Sequence, residues 1–468
     1  MTIKSHMMTI IHSFSSKHFC KCVNMIETDL MIIGSGPGGY ETALYAANKG
    51  LKVVIAEEKE VGGTCLNRGC IPTKSLLHDA AKAATDHAEL QVEAFKRAME
   101  RKGQVVAGLR QGISTLLSNP AITLLQGHAT FADAKTVSVG EEIVKPQHVI
   151  IATGSEVRMP LLPGIKEPRS PYVFTSDDLL ASPILPPTVC VIGAGVIGLE
   201  MATMFRGFGC RVDVVEFLSE CLPTIDGEVA RRLRKTLEKS GIKFHLACQV
   251  REVNGNEVIY LNTKRKTEEH IASDCILVAT GRAPQVDGLQ LEAAGVQYNG
   301  HGILVDDDFS TSVPNIYAIG DVNGRQMLAH AATAQGRHAV NRILGLKDRI
   351  RFDIMPAAVF TRPEVASVGL TEDLVKSQYP NYTTHKGFYR SNGKAQAIEA
   401  TEGFVKIVCD NKQPDSKIVG CHVMGANAAA IVQEVAALMN FKVTLEQLRD
   451  IIHIHPTLNE ILLQAANV

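Results

Sequence analysis

Two stretches of this 468-residue chain follow one plan: "TDLMIIGSGPGGYETALYAANKG" and, farther on, "TVCVIGAGVIGLEMATMFRGFG". Each reads as an apolar strand, a glycine-rich turn and a helix. The glycines are Gly34, Gly36 and Gly39 in the first and Gly193, Gly195 and Gly198 in the second. Such a turn needs them for tight reversal, for close approach of backbone to a pyrophosphate, and for helix–strand packing. The helix N-terminus then presents unpaired N–H groups and a positive dipole end to the phosphates. Each copy carries an acid at the same offset. Glu57 ends "KVVIAE" 18 residues after Gly39, and Glu216 ends "RVDVVE" 18 residues after Gly198. A carboxylate there accepts hydrogen bonds from ribose hydroxyls. The chain is thereby confined to the α/β class, with two Rossmann-like dinucleotide-binding units. Glu216 would repel the extra phosphate of NADP, and no Arg ends that strand, so the second site is expected to prefer NAD(H).

Further strand ends order the chain. "HVIIATGSEVRMP" brings Thr153 and Gly154 to a strand terminus, and "CILVATGRAPQ" does the same with Gly281. "TSVPNIYAIGDV" ends in Asp321, which is expected either to meet the ribityl chain of a flavin or to cap the helix that follows, or both. One dinucleotide unit therefore starts near residue 27, breaks near 150 around a second unit at 151–280, and resumes at 281–352. Residues 353–468 mix strands with two helices and need a core of their own. The helix in "ANAAAIVQEVAALMNF" (426–441) suits an interface or that core.

Bulk properties exclude other classes. A net charge of -1 gives no field for nucleic acid or anionic membranes. The apolar runs are strand-sized, so no membrane insertion is expected. Residues 1–24 hold three Lys, three His, two Cys and no acid. They resemble no signal peptide, and residues 1–26 read as a disordered extension or a non-native start.

Most of the 11 cysteines, such as Cys190, Cys275 and Cys409, sit singly in apolar runs and read as buried small hydrophobes. "GGTCLNRGCIPTK" differs, with Cys65 and Cys70 five residues apart. On a regular helix these Cα atoms would lie about 8.7 Å apart, beyond the roughly 4.4–6.8 Å a disulfide spans. Gly69 and the pair Gly62–Gly63 are expected to supply an irregular turn. A static bridge over so short a loop would stabilise little, so redox use is the stronger expectation.

Taken together, the redox motif "GGTCLNRGCIPTKSLL", the "GVIGLE" helix and the C-terminal "HIHPTLNE" resemble the pyridine nucleotide–disulfide oxidoreductases, from about residue 27 onward. The resemblance implies FAD in the unit 27–150 plus 281–352, NAD in 151–280, and an α+β dimerisation domain at 353–468. Cys65 would be the interchange thiol, and Cys70 would face the flavin and form a charge-transfer pair with it. Lys74, one turn past Cys70, would lie beside the flavin and pair with Glu200. His455 would be the base, oriented by Glu460 and placed opposite the Cys pair of the other subunit of an obligate homodimer. Ala329 would lie near the flavin, although "AHAATAQG" departs from the more usual acidic form. Within the family the motifs are most similar to the members that oxidise dihydrolipoamide with NAD+, on lipoyl carrier domains of 2-oxo acid dehydrogenase or glycine cleavage complexes. NAD(P)H-dependent reduction of another disulfide is the alternative. A bacterial-type cytoplasm is the expected compartment, with an organellar matrix left open. Arg68 and His453 receive no role.

Overall fold

The computed structural model describes residues 25–83, 88–166, 168–411 and 416–467. Residues 1–24, with Cys20 and Cys22, lie outside them, whereas Met25 and Ile26, expected to belong to the disordered extension, open strand Met25–Ile33 and pair with Ile143 and Val144.

The first sheet runs in the order Ile122–Gln126, Val53–Glu57, Met25–Ile33, Glu142–Ile151, Thr136–Val139, Ala129–Asp133. Its central pairs are parallel, and strands such as "LMII" and "VVIA" are buried on both faces, as helices on both sides demand. Strand Glu142–Ile151 divides one edge between two partners. Its first half pairs antiparallel with Thr136–Val139. Its second half pairs parallel with Ile316–Ala318, which arrives only after the chain has left and returned. The second sheet, Ile242–Leu246, Arg211–Glu216, Thr188–Ile192, Cys275–Val278, Val173–Phe174, is wholly parallel. The outgoing and returning connections run side by side as Ser155–Val157 against Arg282–Pro284.

The third unit is a five-stranded antiparallel sheet, Ala357–Val359, Val365–Gly369, Lys417–Met424, Phe404–Asp410, Tyr382–Phe388. Helix Ala428–Asn440 buries Ile431, Val432, Val435 and Ala436 in the same core as Val405, Ile407 and Val423, so this face of the helix serves its own unit. Every residue of strand "FVKIVC" is buried, Lys406 included, at 0% exposure. Its Nζ lies 2.6 Å from Asp226 Oδ1, 3.0 Å from Glu228 Oε2 and 3.0 Å from Glu372 Oε2. Asp226 caps helix Gly227–Lys239 of the second unit, so the lysine ties the second unit to the third. Burial works against these charges, yet bonds from Lys386 and Lys406 bring the Glu228 carboxyl down to about 2. Lys406→Met would leave the buried Asp226 carboxylate without its lysine, while Glu228 and Glu372 keep Lys386 and Lys376, and should cost about 3–5 kcal/mol in chemical denaturation; an unchanged midpoint would refute this account. Among the described residues, no helix is long and apolar enough to cross a membrane.

Candidate active site

A cavity of about 1560 Å³ lies where the three units meet. Both glycine turns open into it. Helices Pro37–Asn48 and Val196–Gly207 start from Gly36 and Gly195 without a side-chain cap, so their first N–H groups are left for a ligand. A Cβ at Gly39 would run into the Gly34 carbonyl oxygen, and one at Gly198 into that of Gly193, which explains the third glycine of each turn. Glu57 and Glu216 both fold back onto their own loops. Glu57 accepts from the Ser35 N–H at 2.8 Å, its hydroxyl at 2.6 Å and the Lys59 N–H at 2.8 Å. Glu216 accepts from the Ala194 N–H at 2.6 Å and the Leu218 N–H at 2.8 Å. A carboxylate offers about four acceptor sites, so each keeps capacity for a ribose.

Thr153, Gly154, Gly281, Asp321 and Ala329 line the same cavity. Asp321 is not the cap of the following helix. That helix begins at Ala329 with Leu328 as its N-cap, and Asp321 lies in the short 3-10 turn Gly320–Asn323. Its carboxylate accepts from the Ser155 hydroxyl at 2.5 Å, and Arg282 Nε donates to that hydroxyl at 2.7 Å. The residues separating Asp321 from the helix, "VNGRQML", break the register a cap would need. His330 at the start of that helix bonds the Pro356 carbonyl at 2.7 Å.

The two cysteines stand on different helices. Gly63–Arg68 carries Cys65, Cys70 opens Cys70–Ala80, and Gly69 breaks the axis between them with φ -144° and ψ -112°. A Cβ at Gly69 would sit 2.9 Å from the Thr64 carbonyl oxygen. Asn67 stitches the segment, donating to the Gly63 carbonyl at 2.9 Å while Arg110 of the long helix Ala88–Leu117 bonds its own oxygen at 2.7 Å. Both cysteines are free thiols on the cavity wall, and each acts on the other's proton. That mutual influence is the main one on each: it pushes the Cys65 thiol up and, with Lys74 adding to it, brings the Cys70 thiol down. Lys74 Nζ lies 2.6 Å from Glu200 Oε2. Arg68 reaches Glu60 and Asp177, each at 3.5 Å, and so links the redox segment to the second unit.

His455 and Glu460 do not line this cavity. His455 Nδ1 is 2.9 Å from Glu460 Oε1, and the Thr457 N–H donates to Glu460 Oε2 at 2.8 Å. The Thr457 N–H first, and His455 next, hold the Glu460 carboxyl below the usual range. The His455 side chain is 78% exposed, beside Ile452 at 96% and Ile454 at 79%. His453 acquires partners the sequence did not reveal: Nε2 lies 2.9 Å from Glu434 Oε1, and Asn459 donates to Glu434 Oε2 at 2.6 Å. Glu434 thus braces the loop that carries His455.

Residues 28–336 match the family "pyridine nucleotide-disulphide oxidoreductase", and residues 355–466 match its dimerisation domain. The chain belongs to the pyridine nucleotide-disulphide oxidoreductases. A mitochondrial dihydrolipoyl dehydrogenase of Pisum sativum is 38% identical, over 98% of this chain and 94% of its own. A dihydrolipoyl dehydrogenase of Cupriavidus necator is 36% identical, over 94% and 97%. The HOCl-induced flavoprotein disulfide reductase RclA from Escherichia coli superposes with a TM-score of 0.85 at 29% identity, covering 94% of this chain and 99% of that one. Enzymes of this family use FAD and NAD(H), and two uncapped helix termini with glycine turns and the cavity-lining carboxylates Glu57 and Glu216 fit two such dinucleotides. The dimerisation domain supports a homodimer.

Proposed function

We propose that this oxidoreductase oxidises dihydrolipoamide, carried on lipoyl domains of a 2-oxo acid dehydrogenase or glycine cleavage complex, with NAD+ as final acceptor. On this reading, residues 27–150 and 281–352 hold FAD through Gly34, Gly36, Gly39, Glu57 and Asp321. Residues 151–280 hold NAD through Gly193, Gly195, Gly198 and Glu216. Residues 353–468 form the interface. The observation that carries the proposal is the Cys65–Cys70 pair, on the wall of a cavity that both glycine turns share.

The steps balance as thiol–disulfide exchange. In the oxidised enzyme a substrate thiolate attacks Cys65 Sγ, the Cys65–Cys70 bond breaks, and Cys70 leaves as a thiolate. A low-pKa thiol is the better leaving group, and Lys74 favours that charge. The second substrate sulfur then displaces Cys65, closing the lipoamide ring and leaving two electrons on the cysteine pair. His455 of a second copy takes the substrate protons, with Glu460 fixing its tautomer. Bound FAD supplies the acceptor for that electron pair and bound NAD+ its final destination. The exposed His455, Ile452 and Ile454 suit burial against that second copy.

Reduction of another disulfide is the second reading, favoured by the likeness to RclA. Purified protein mixed with dihydrolipoamide and NAD+ should form NADH rapidly, with little NADPH when NADP+ replaces NAD+. No NADH from a visibly yellow protein would favour the second reading. Glu216→Ala should raise kcat/KM for NADP+ by about tenfold, since the repulsion of the extra phosphate is lost. Unchanged discrimination would remove Glu216 from the specificity argument.

A further inference from the structure

Three units meet at one ion pair. Lys74 comes from the first unit, Glu200 from the second, and Phe360 from the third. Glu200 divides its carboxylate: Oε2 takes Lys74 Nζ at 2.6 Å, and Oε1 accepts from the Phe360 backbone N–H at 2.9 Å. The Phe360 ring centroid lies 4.7 Å from the same Nζ. The segment is itself pinned, because Arg362 donates to the Ala81 carbonyl at the end of the redox helix at 2.9 Å, and the Thr361 hydroxyl bonds the Pro363 carbonyl at 2.7 Å. An ammonium over an aromatic face is held by the ring quadrupole and loses water on that side. Phe360 therefore fixes both members of the pair, one by its ring and one by its backbone.

We infer that Phe360 is a positioning residue of the redox site, setting where the Lys74 and Glu200 charges stand relative to Cys70. This rests on the reading of Cys65 and Cys70 as the redox pair. The groups that act on Cys70 are its neighbour Cys65, Lys74, which favours the thiolate, and Glu200, which opposes it. Lys74 lies one helical turn from Cys70, so its field there depends on which rotamer the ring holds. Without the ring, the lysine follows Glu200 and its solvent, and the balance at Cys70 moves toward the carboxylate.

The test reads the thiol rather than turnover. Holoenzyme reduced with a small dithiol is alkylated with iodoacetamide across pH, and modification of the Cys70 peptide is followed by mass spectrometry. Phe360→Leu should move the Cys70 midpoint upward by about half a pH unit. Phe360→Tyr, which keeps the ring, should match the parent protein, and Lys74→Met should move the midpoint upward by more. If Phe360→Leu loses its flavin colour, Phe360→Met replaces it with the same expectation. A shift with Lys74→Met but none with Phe360→Leu overturns the inference and leaves the redox reading standing. Equal shifts with Leu and Tyr also overturn it. No shift with either Lys74→Met or Phe360→Leu overturns both the inference and the action of Lys74 on Cys70.

Discussion

His455→Gln should lower kcat for dihydrolipoamide oxidation by about a thousandfold at neutral pH while the flavin stays bound, the loss expected when a positioned general base is removed. The His455–Glu460 pair stands outside the cavity of its own chain, and on the proposed reading it serves the cavity of a second copy. This makes a sharper experiment possible. Homodimers of His455→Gln and of Cys65→Ser should both be inactive. A heterodimer carrying one of each contains one intact site, formed by the unmodified Cys65 of one copy and the unmodified His455 of the other. Its activity should be about half that of the parent dimer. An inactive heterodimer would mean that base and thiol belong to the same chain, and the shared-site account would fail.

Cys65→Ser should abolish dithiol oxidation, by at least about 10⁴-fold, because a hydroxyl in place of the Cys65 thiol cannot form the mixed disulfide. Bound flavin and the Rossmann units should be unaffected. The pH dependence of the parent enzyme follows from the other thiol. Cys70 is lowered from the ordinary thiol range, so it stays thiolate to lower pH than a free cysteine. Electron transfer out of the reduced pair should therefore persist to lower pH than an ordinary thiol allows and fall only as Cys70 protonates, read by rapid reduction and single-turnover kinetics. Lys74→Met should carry the falling limb to higher pH. A limb that stays in place would mean that Cys70 does not need to be ionised.

What could be read before folding was chemistry written in short, local spacing. The glycine turns, the acids 18 residues on and the Cys65–Cys70 pair are all set by contacts within one strand–turn–helix unit. Gly69 was legible for the same reason, since no straight helix could bring the two cysteines together. Of the two roles open to Asp321, the helix cap fails because the turn Gly320–Asn323 intervenes between strand and helix, and the side chain bonds Ser155, remote in sequence. His453 and Phe360 carried no local signal, because their partners Glu434, Lys74 and Glu200 are remote in sequence. Lys406 in "FVKIVCD" has partners, Asp226, Glu228 and Glu372, that are remote in sequence, and only the packing of the second unit against that strand makes it the buried counter-charge of three acids.

The divided edge of strand Glu142–Ile151 has a bearing on biosynthesis. Its partner Ile316–Ala318 leaves the ribosome only after the whole inserted unit has been made. At ordinary translation speeds of about 5–20 residues per second, that wait lasts on the order of ten seconds. The nascent inserted unit, contiguous in sequence, can close during the interval, while the N-terminal sheet must keep an open edge beside Ile150 and Ile151. Capture of the first dinucleotide should therefore come late in synthesis. Ribosome-stalled chains ending before Ile316 should bind NAD yet recruit holdase chaperones in place of a flavin.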